Sequence, residues 1–218
     1  MYKRCMNTKR FFNIAGPCVE GEHYMLTPSM RCRDIFQLIE QKMYFAIHAA
    51  RQTGKTTMLI SLTKELQASG RYHALYVSLE SCQGIHDPRE GIPAVTRAIA
   101  AAWNRNVLLR DLADVRVERY ADDITNMVSR YIGDLAMALD KPLILLFDEV
   151  DCLTEGSLIS FLRQIRDGYI NRVFSPFAHS LALVGMRDVR DYKATIRDGQ
   201  TTLGSASPFN IKTESLTL

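Results

Sequence analysis

The 218-residue chain has no apolar run that approaches the roughly 18 residues of a membrane-spanning helix; stretches such as Leu143 to Phe147 are far shorter. No secretory signal is legible either. The basic stretch Met1 to Arg10 is not followed by an apolar core. Cysteine is sparse and odd in number: Cys5, Cys18, Cys32, Cys82 and Cys152 form no C-x-x-C pair and none stands at zinc spacing from a histidine. A disulfide framework and a structural zinc site are thereby disfavoured, and reduced thiols in a cytoplasmic protein are expected. Strong charge is lacking too. Lys and Arg total 27 against 24 Asp and Glu, a net charge of +3, too mild to imply nucleic acid by itself. Repeats and low-complexity tracts are absent. With 47% hydrophobic residues the chain suits one soluble domain, or one domain and a fragment of another, with no membrane partner.

What the chain does have is Ala49-Ala50-Arg51-Gln52-Thr53-Gly54-Lys55-Thr56, followed by Thr57. This fits the pattern G-x-x-x-x-G-K-[ST], with alanine at the first glycine position. The apolar stretch Tyr44 to His48 precedes it as a strand, and a helix is expected over Lys55 to Ala68 from Met58, Leu59, Leu62 and Leu66. Such a loop turns backbone N–H groups toward an anion, and the helix N-terminus reinforces them. Gly54 lets the backbone approach a phosphate, where a Cβ would collide. Lys55 would reach the β- and γ-phosphates, and the Thr56 hydroxyl would ligate Mg²⁺. Ala49 demands an ordinary φ at its position. Arg51 and Gln52 are expected to pair with nearby backbone or carboxylates.

Further strands are expected at His73 to Leu79, Leu143 to Phe147 and Leu181 to Gly185, and a last one from Phe209 onward. Between them helical spacing marks Arg89 to Trp103, Asp122 to Leu139 with Asp122 as N-cap, and Ser157 to Gly168. A short helix over Arg31 to Gln41 precedes the first strand, and Arg105 to Tyr120 reads as helix or loop. Residues 1–30 lack a period and are punctuated by Gly16-Pro17, Gly21 and Pro28. Alternating strands and helices argue for an α/β fold with a largely parallel sheet.

Asp148-Glu149-Val150-Asp151 directly follows the most apolar strand, at the strand end where α/β sheets place ligands. Asp148 would orient Mg²⁺ and its water, and Glu149 would polarise the attacking water. Asp151 reads as a loop or capping residue. Glu80 or Ser78, ending the second strand, would be placed to hold Glu149. Arg187, after the fourth strand, would sense the γ-phosphate or else pair with Asp188 or Asp191. His23-Tyr24 would border the adenine ring. Cys152 has no nearby histidine in sequence to activate it as a nucleophile. Arg163, Arg166 and Arg172 read as a solvated helix face, with a nucleic-acid surface as the rival reading.

At these residues the chain resembles the AAA-like or STAND-type ATP-binding proteins, related to AAA+ ATPases within the P-loop fold. The matching stretches are Phe11 to Pro17, His23-Tyr24-Met25, Arg51 to Thr57, Phe147 to Asp151, Leu158 to Gly168, Gly185 to Tyr192 and Ser207 to Ile211. The resemblance spans about residues 11–215. It implies a three-layer sandwich with strand order 5-1-4-3-2 and alanine tolerated at Ala49. It implies ATP and Mg²⁺ as ligands, with residues 1–30 bordering the nucleotide and 31–218 forming the core. A helical lid normally follows, and here the sequence given ends at Leu218; the expectation is a core lacking its lid, with a homo-oligomer or lid-supplying partner. Three activities are compatible: a slow Mg²⁺-dependent ATPase acting as a conformational switch, a nucleotide-binding module with little hydrolysis, and a DNA-transaction ATPase.

Overall fold

The computed structural model describes residues 9–14, 16–50, 52–185 and 215–217. Five strands form one sheet: β1 (Tyr44–His48), β2 (His73–Ser78), β3 (Leu143–Asp148), β4 (Ser180–Gly185) and β5 (Ser215–Thr217). Their spatial order is β2-β3-β4-β1-β5, which read from the other edge is 5-1-4-3-2. All four strand pairings are parallel. The helices are α1 (Pro28–Arg31), α2 (Arg33–Glu40), α3 (Lys55–Ala68), α4 (Pro88–Arg105), α5 (Met127–Met137) and α6 (Glu155–Asn171).

Residue parity divides the core. Leu143, Leu145 and Phe147 of β3 join Leu75, Val77, Leu181 and Leu183 under α4, α5 and α6. Ile144 and Leu146 join Phe45, Ile47, Ala182 and Val184 beneath α2 and α3, where Met58, Leu59, Leu62 and Leu66 meet them. Strand side chains alternate between faces, so continuous apolar runs are what a sheet covered on both sides requires. The result is the three-layer α/β sandwich that the resemblance implies. The same parity puts Asp148, two residues beyond Leu146, on the α3 face at the carboxyl edge of the sheet.

Three local departures have physical causes. The expected helix over Arg31 to Gln41 is interrupted at Cys32, whose backbone (φ −142°, ψ 70°) is not helical. Helix α5 begins at Met127 rather than after Asp122, because the Asp123 carboxylate accepts bonds from Thr125 Oγ1 (2.8 Å) and Asn126 Nδ2 (3.1 Å) and holds that stretch in turns. Arg172 lies just past α6 and is only partly solvated: its guanidinium sits 3.9 Å from the centre of the Tyr169 ring and donates to Lys42 O at 2.9 Å. Among the described residues no helix is long and apolar enough to cross a membrane.

Candidate functional site

The loop between β1 and α3 is shaped by two left-handed residues, Gln52 (φ 61°) and Gly54 (φ 79°). Ala49 is not among the positive-φ residues, so the missing first glycine costs nothing in backbone strain. A Cβ on Gly54 would meet the Arg31 guanidinium at 3.3 Å as well as strain the backbone. Gly54 is the N-cap of α3 and its carbonyl takes the first helical bond, from Met58 N at 2.9 Å. The amides of residues 55–57 therefore have no acceptor within the helix, which leaves them for an anion.

Lys55 is 7% exposed, and its Nζ donates to Ala49 O and Ala50 O, both at 2.9 Å. Thr53 Oγ1 donates to Ala50 O at 2.9 Å, closing the loop on itself. Arg31 Nη2 donates to Thr53 O at 2.7 Å, a brace from α1 that nothing in the local sequence signalled. Arg51 lies outside the described residues.

The second half of the site meets the first directly. Thr56 Oγ1 donates to Asp148 Oδ2 at 2.7 Å, joining residues 92 apart in sequence. Tyr76 OH, from β2, donates to the same oxygen at 3.1 Å, and Glu149 N donates to Oδ1 at 3.0 Å. Asp148 is 1% exposed. Burial, with the neighbouring Asp148 carboxylate adding to it, pushes the Tyr76 phenol above its ordinary pKa.

Glu149 takes a left-handed conformation (φ 55°, ψ 42°) as the chain leaves β3. Burial first, then Asp148 and Asp151, raise its pKa, while Lys55 pulls it back. Glu80 adds to the rise as a further negative charge. Its own backbone N donates to Ser78 Oγ at 3.3 Å. Asp151 packs against the end of β4: a Cβ on Gly185 would lie 2.8 Å from Asp151 Oδ1. Cys152 is held as a thiol, its pKa raised to about 11 by burial and by Glu149, Asp151 and Glu80. Arg187 lies outside the described residues.

The N-terminal segment docks on the first turn of α3 through Cys18 N, which donates to Thr57 Oγ1 at 3.0 Å. His23 is 8% exposed, accepts from Val19 N at 2.7 Å through Nδ1, and packs edge-on against Phe11. It lines a cleft of about 420 Å³ with Met25, Leu26, Lys64 and Glu65, beside the later turns of α3. Tyr24 is half-exposed against Phe12, their ring centres 4.9 Å apart.

These residues fit a nucleotide with Mg²⁺. Among the described residues no group of three or more His, Cys, Asp or Glu side chains could hold a metal ion unaided. Mg²⁺ asks for less: one or two protein oxygens with phosphates and waters completing the shell, and Thr56 beside Asp148 is such a pair.

No protein-family model matches the sequence, and no curated protein matches it at a significant level. Solved structures do. The Orc1 protein of Aeropyrum pernix, in complex with DNA, is 17% identical with a TM-score of 0.48 over 85% of this chain and 43% of its own. Cdc6p of Pyrobaculum aerophilum is 15% identical with a TM-score of 0.45 over 84% of this chain and 42% of its own. The chain thus spans less than half the length of either neighbour, and at such low similarity the argument for the site rests on its own geometry: the first turn of α3, after a left-handed glycine, and a buried strand-end carboxylate bonded to each other at the carboxyl edge of a parallel sheet.

Proposed function

We propose that this chain is an AAA-like or STAND-type ATPase core that binds ATP with Mg²⁺ and hydrolyses it slowly as a conformational switch. The observation that carries the reading is the bond from Thr56 to Asp148, which unites loop and strand-end carboxylate. The amides at the start of α3 and Lys55 bind the phosphates, after Lys55 leaves its loop carbonyls. Ala49 to Thr57 form the cradle, and Thr56 and Asp148 hold the metal. Mg²⁺, held by Thr56 and Asp148, would offset the negative charge that develops on the phosphates. Glu149 takes the proton of the attacking water; its raised pKa makes it a better base than an ordinary carboxylate. Arg187, which follows β4 in sequence, would sense the γ-phosphate. His23 and Tyr24 belong to the segment docked beside the loop and would border the base. Closure of the site, by a lid or by a second copy of the chain, would exclude water.

A second reading, a binding module with little turnover, draws on Lys55. Its two bonds to Ala49 O and Ala50 O must be exchanged before it reaches a phosphate, which favours a gated site.

Steady-state Mg-ATP turnover of the wild type beside Glu149→Gln and Lys55→Ala tests both. Loss of a general base lowers turnover by about 10²–10⁴-fold with nucleotide binding retained; Lys55→Ala weakens binding and turnover together. Full turnover in Glu149→Gln means that the water is activated by another group. Tight binding with negligible wild-type turnover selects the binding module.

A further inference from the structure

The strand register places a tyrosine where the metal-binding half of the site needs a fixed point. Strands β2 and β3 pair in parallel with Tyr76 opposite Leu146 and Ser78 opposite Asp148. Tyr76 and Asp148 share the α3 face of the sheet, one step apart on neighbouring strands, and the phenol reaches across to Asp148 Oδ2 at 3.1 Å. The ring packs against the apolar cluster under α2 and α3, so its position is set by the core rather than by solvent. A phenylalanine would fill the same volume. Only the hydroxyl distinguishes the residue; it donates its proton to the carboxylate, with Ser78 as a further hydrogen-bond neighbour.

Resting on the nucleotide reading above, we propose that Tyr76 is a positioning residue for the metal: it fixes the plane of the Asp148 carboxylate for Mg²⁺ and its water. Three donors hold that group, Thr56 and Tyr76 on Oδ2 and Glu149 N on Oδ1. Two of them are poor anchors. Thr56 must offer its oxygen to the metal when nucleotide binds, and Glu149 N belongs to a left-handed residue whose side chain is wanted at the attacking water. Tyr76 alone comes from a rigid strand and has no other part in the chemistry. Partners of this kind orient a ligand already in place, and their loss typically costs about 10–100-fold in metal affinity.

The test is binding of a fluorescent ATP analogue to wild type and Tyr76→Phe, once in EDTA and once across a Mg²⁺ titration. The EDTA affinity of the variant stays within about twofold of wild type, while its half-saturating Mg²⁺ rises on the order of tenfold. Repeating the titration with Mn²⁺ and reading its bound fraction by electron paramagnetic resonance gives the same shift without turnover. An unchanged metal requirement overturns the proposal and leaves Tyr76 a packing residue. Equal weakening in EDTA and Mg²⁺ overturns it too, since the hydroxyl would then serve the loop or the fold. A wild type that binds no nucleotide in either condition defeats the underlying reading instead, and the inference with it.

Discussion

A carboxylate as enclosed as Asp148 persists only where donors replace the water it has lost, and three such donors surround it. Its neighbour Glu149 keeps partial access to solvent because the left-handed turn at φ 55° carries the chain off the strand line. Adjacent carboxylates thus acquire different environments from backbone geometry. The same negative field reaches Cys152. Burial and the surrounding acids raise its pKa to about 11, so the thiol form is favoured below that pH and the thiolate gains only as pH climbs toward it. At pH 8 the thiolate fraction is therefore on the order of one in a thousand. Alkylation followed by mass spectrometry should find Cys152 slow at neutral pH, with a rate that rises about tenfold per pH unit on the alkaline side. Rapid labelling at pH 7 would mean that a cation, not the acidic cluster, governs this position.

At the scale of elements, α4 and α6 cross where Gly91 faces Ser157. A Cβ on Gly91 would fall 2.2 Å from Ser157 Oγ and 2.6 Å from Ser157 Cβ. Gly91→Ala should cost about 1–3 kcal/mol by overpacking, more than the roughly 1 kcal/mol that alanine returns in helix propensity. Ser157→Gly in the same background should recover most of the loss in urea denaturation. Ser157 Oγ is buried and has no hydrogen-bond partner among the described residues, so Ser157→Ala alone should be neutral or stabilising. None of this was legible in the chain, because a glycine inside a helical pattern reads only as a weak spot until its partner helix is known. The loop and the Asp148 strand were legible, since their signals are local: a phosphate-loop spacing and an apolar run ending in acid. Strand order came from resemblance, not from spacing. Tyr76 and Arg31 were missed for one reason. Each acts across a non-local contact, Tyr76 through the β2–β3 register and Arg31 through the approach of α1 to Thr53 O, while locally they look like a strand aromatic and a surface cation.

For the whole molecule, the site is assembled from parts that do not touch in sequence. The loop follows β1, Asp148 ends β3 with Glu149 just after it, Tyr76 comes from β2, Arg31 from α1, and the N-terminal segment is tied to α3 through Thr57. On the proposed function, a nucleotide bonded to the loop and, through Mg²⁺, to Thr56 and Asp148 would tie the ends of β1 and β3 together and would bind only the folded chain. Its stabilisation then follows mass action, about 2.7 kcal/mol at a free concentration one hundred times the dissociation constant. In a chain of 218 residues that corresponds to a rise in melting temperature of roughly 5–10 °C. Thermal melts with saturating Mg-ATP should show this shift. EDTA should reduce it, by removing the part that passes through Thr56 and Asp148, and Lys55→Ala should reduce it under both conditions. A shift that survives Lys55→Ala in full would place the nucleotide somewhere other than the loop. No shift at all, in a wild type that melts cooperatively, would mean that the cradle does not hold nucleotide in the isolated chain.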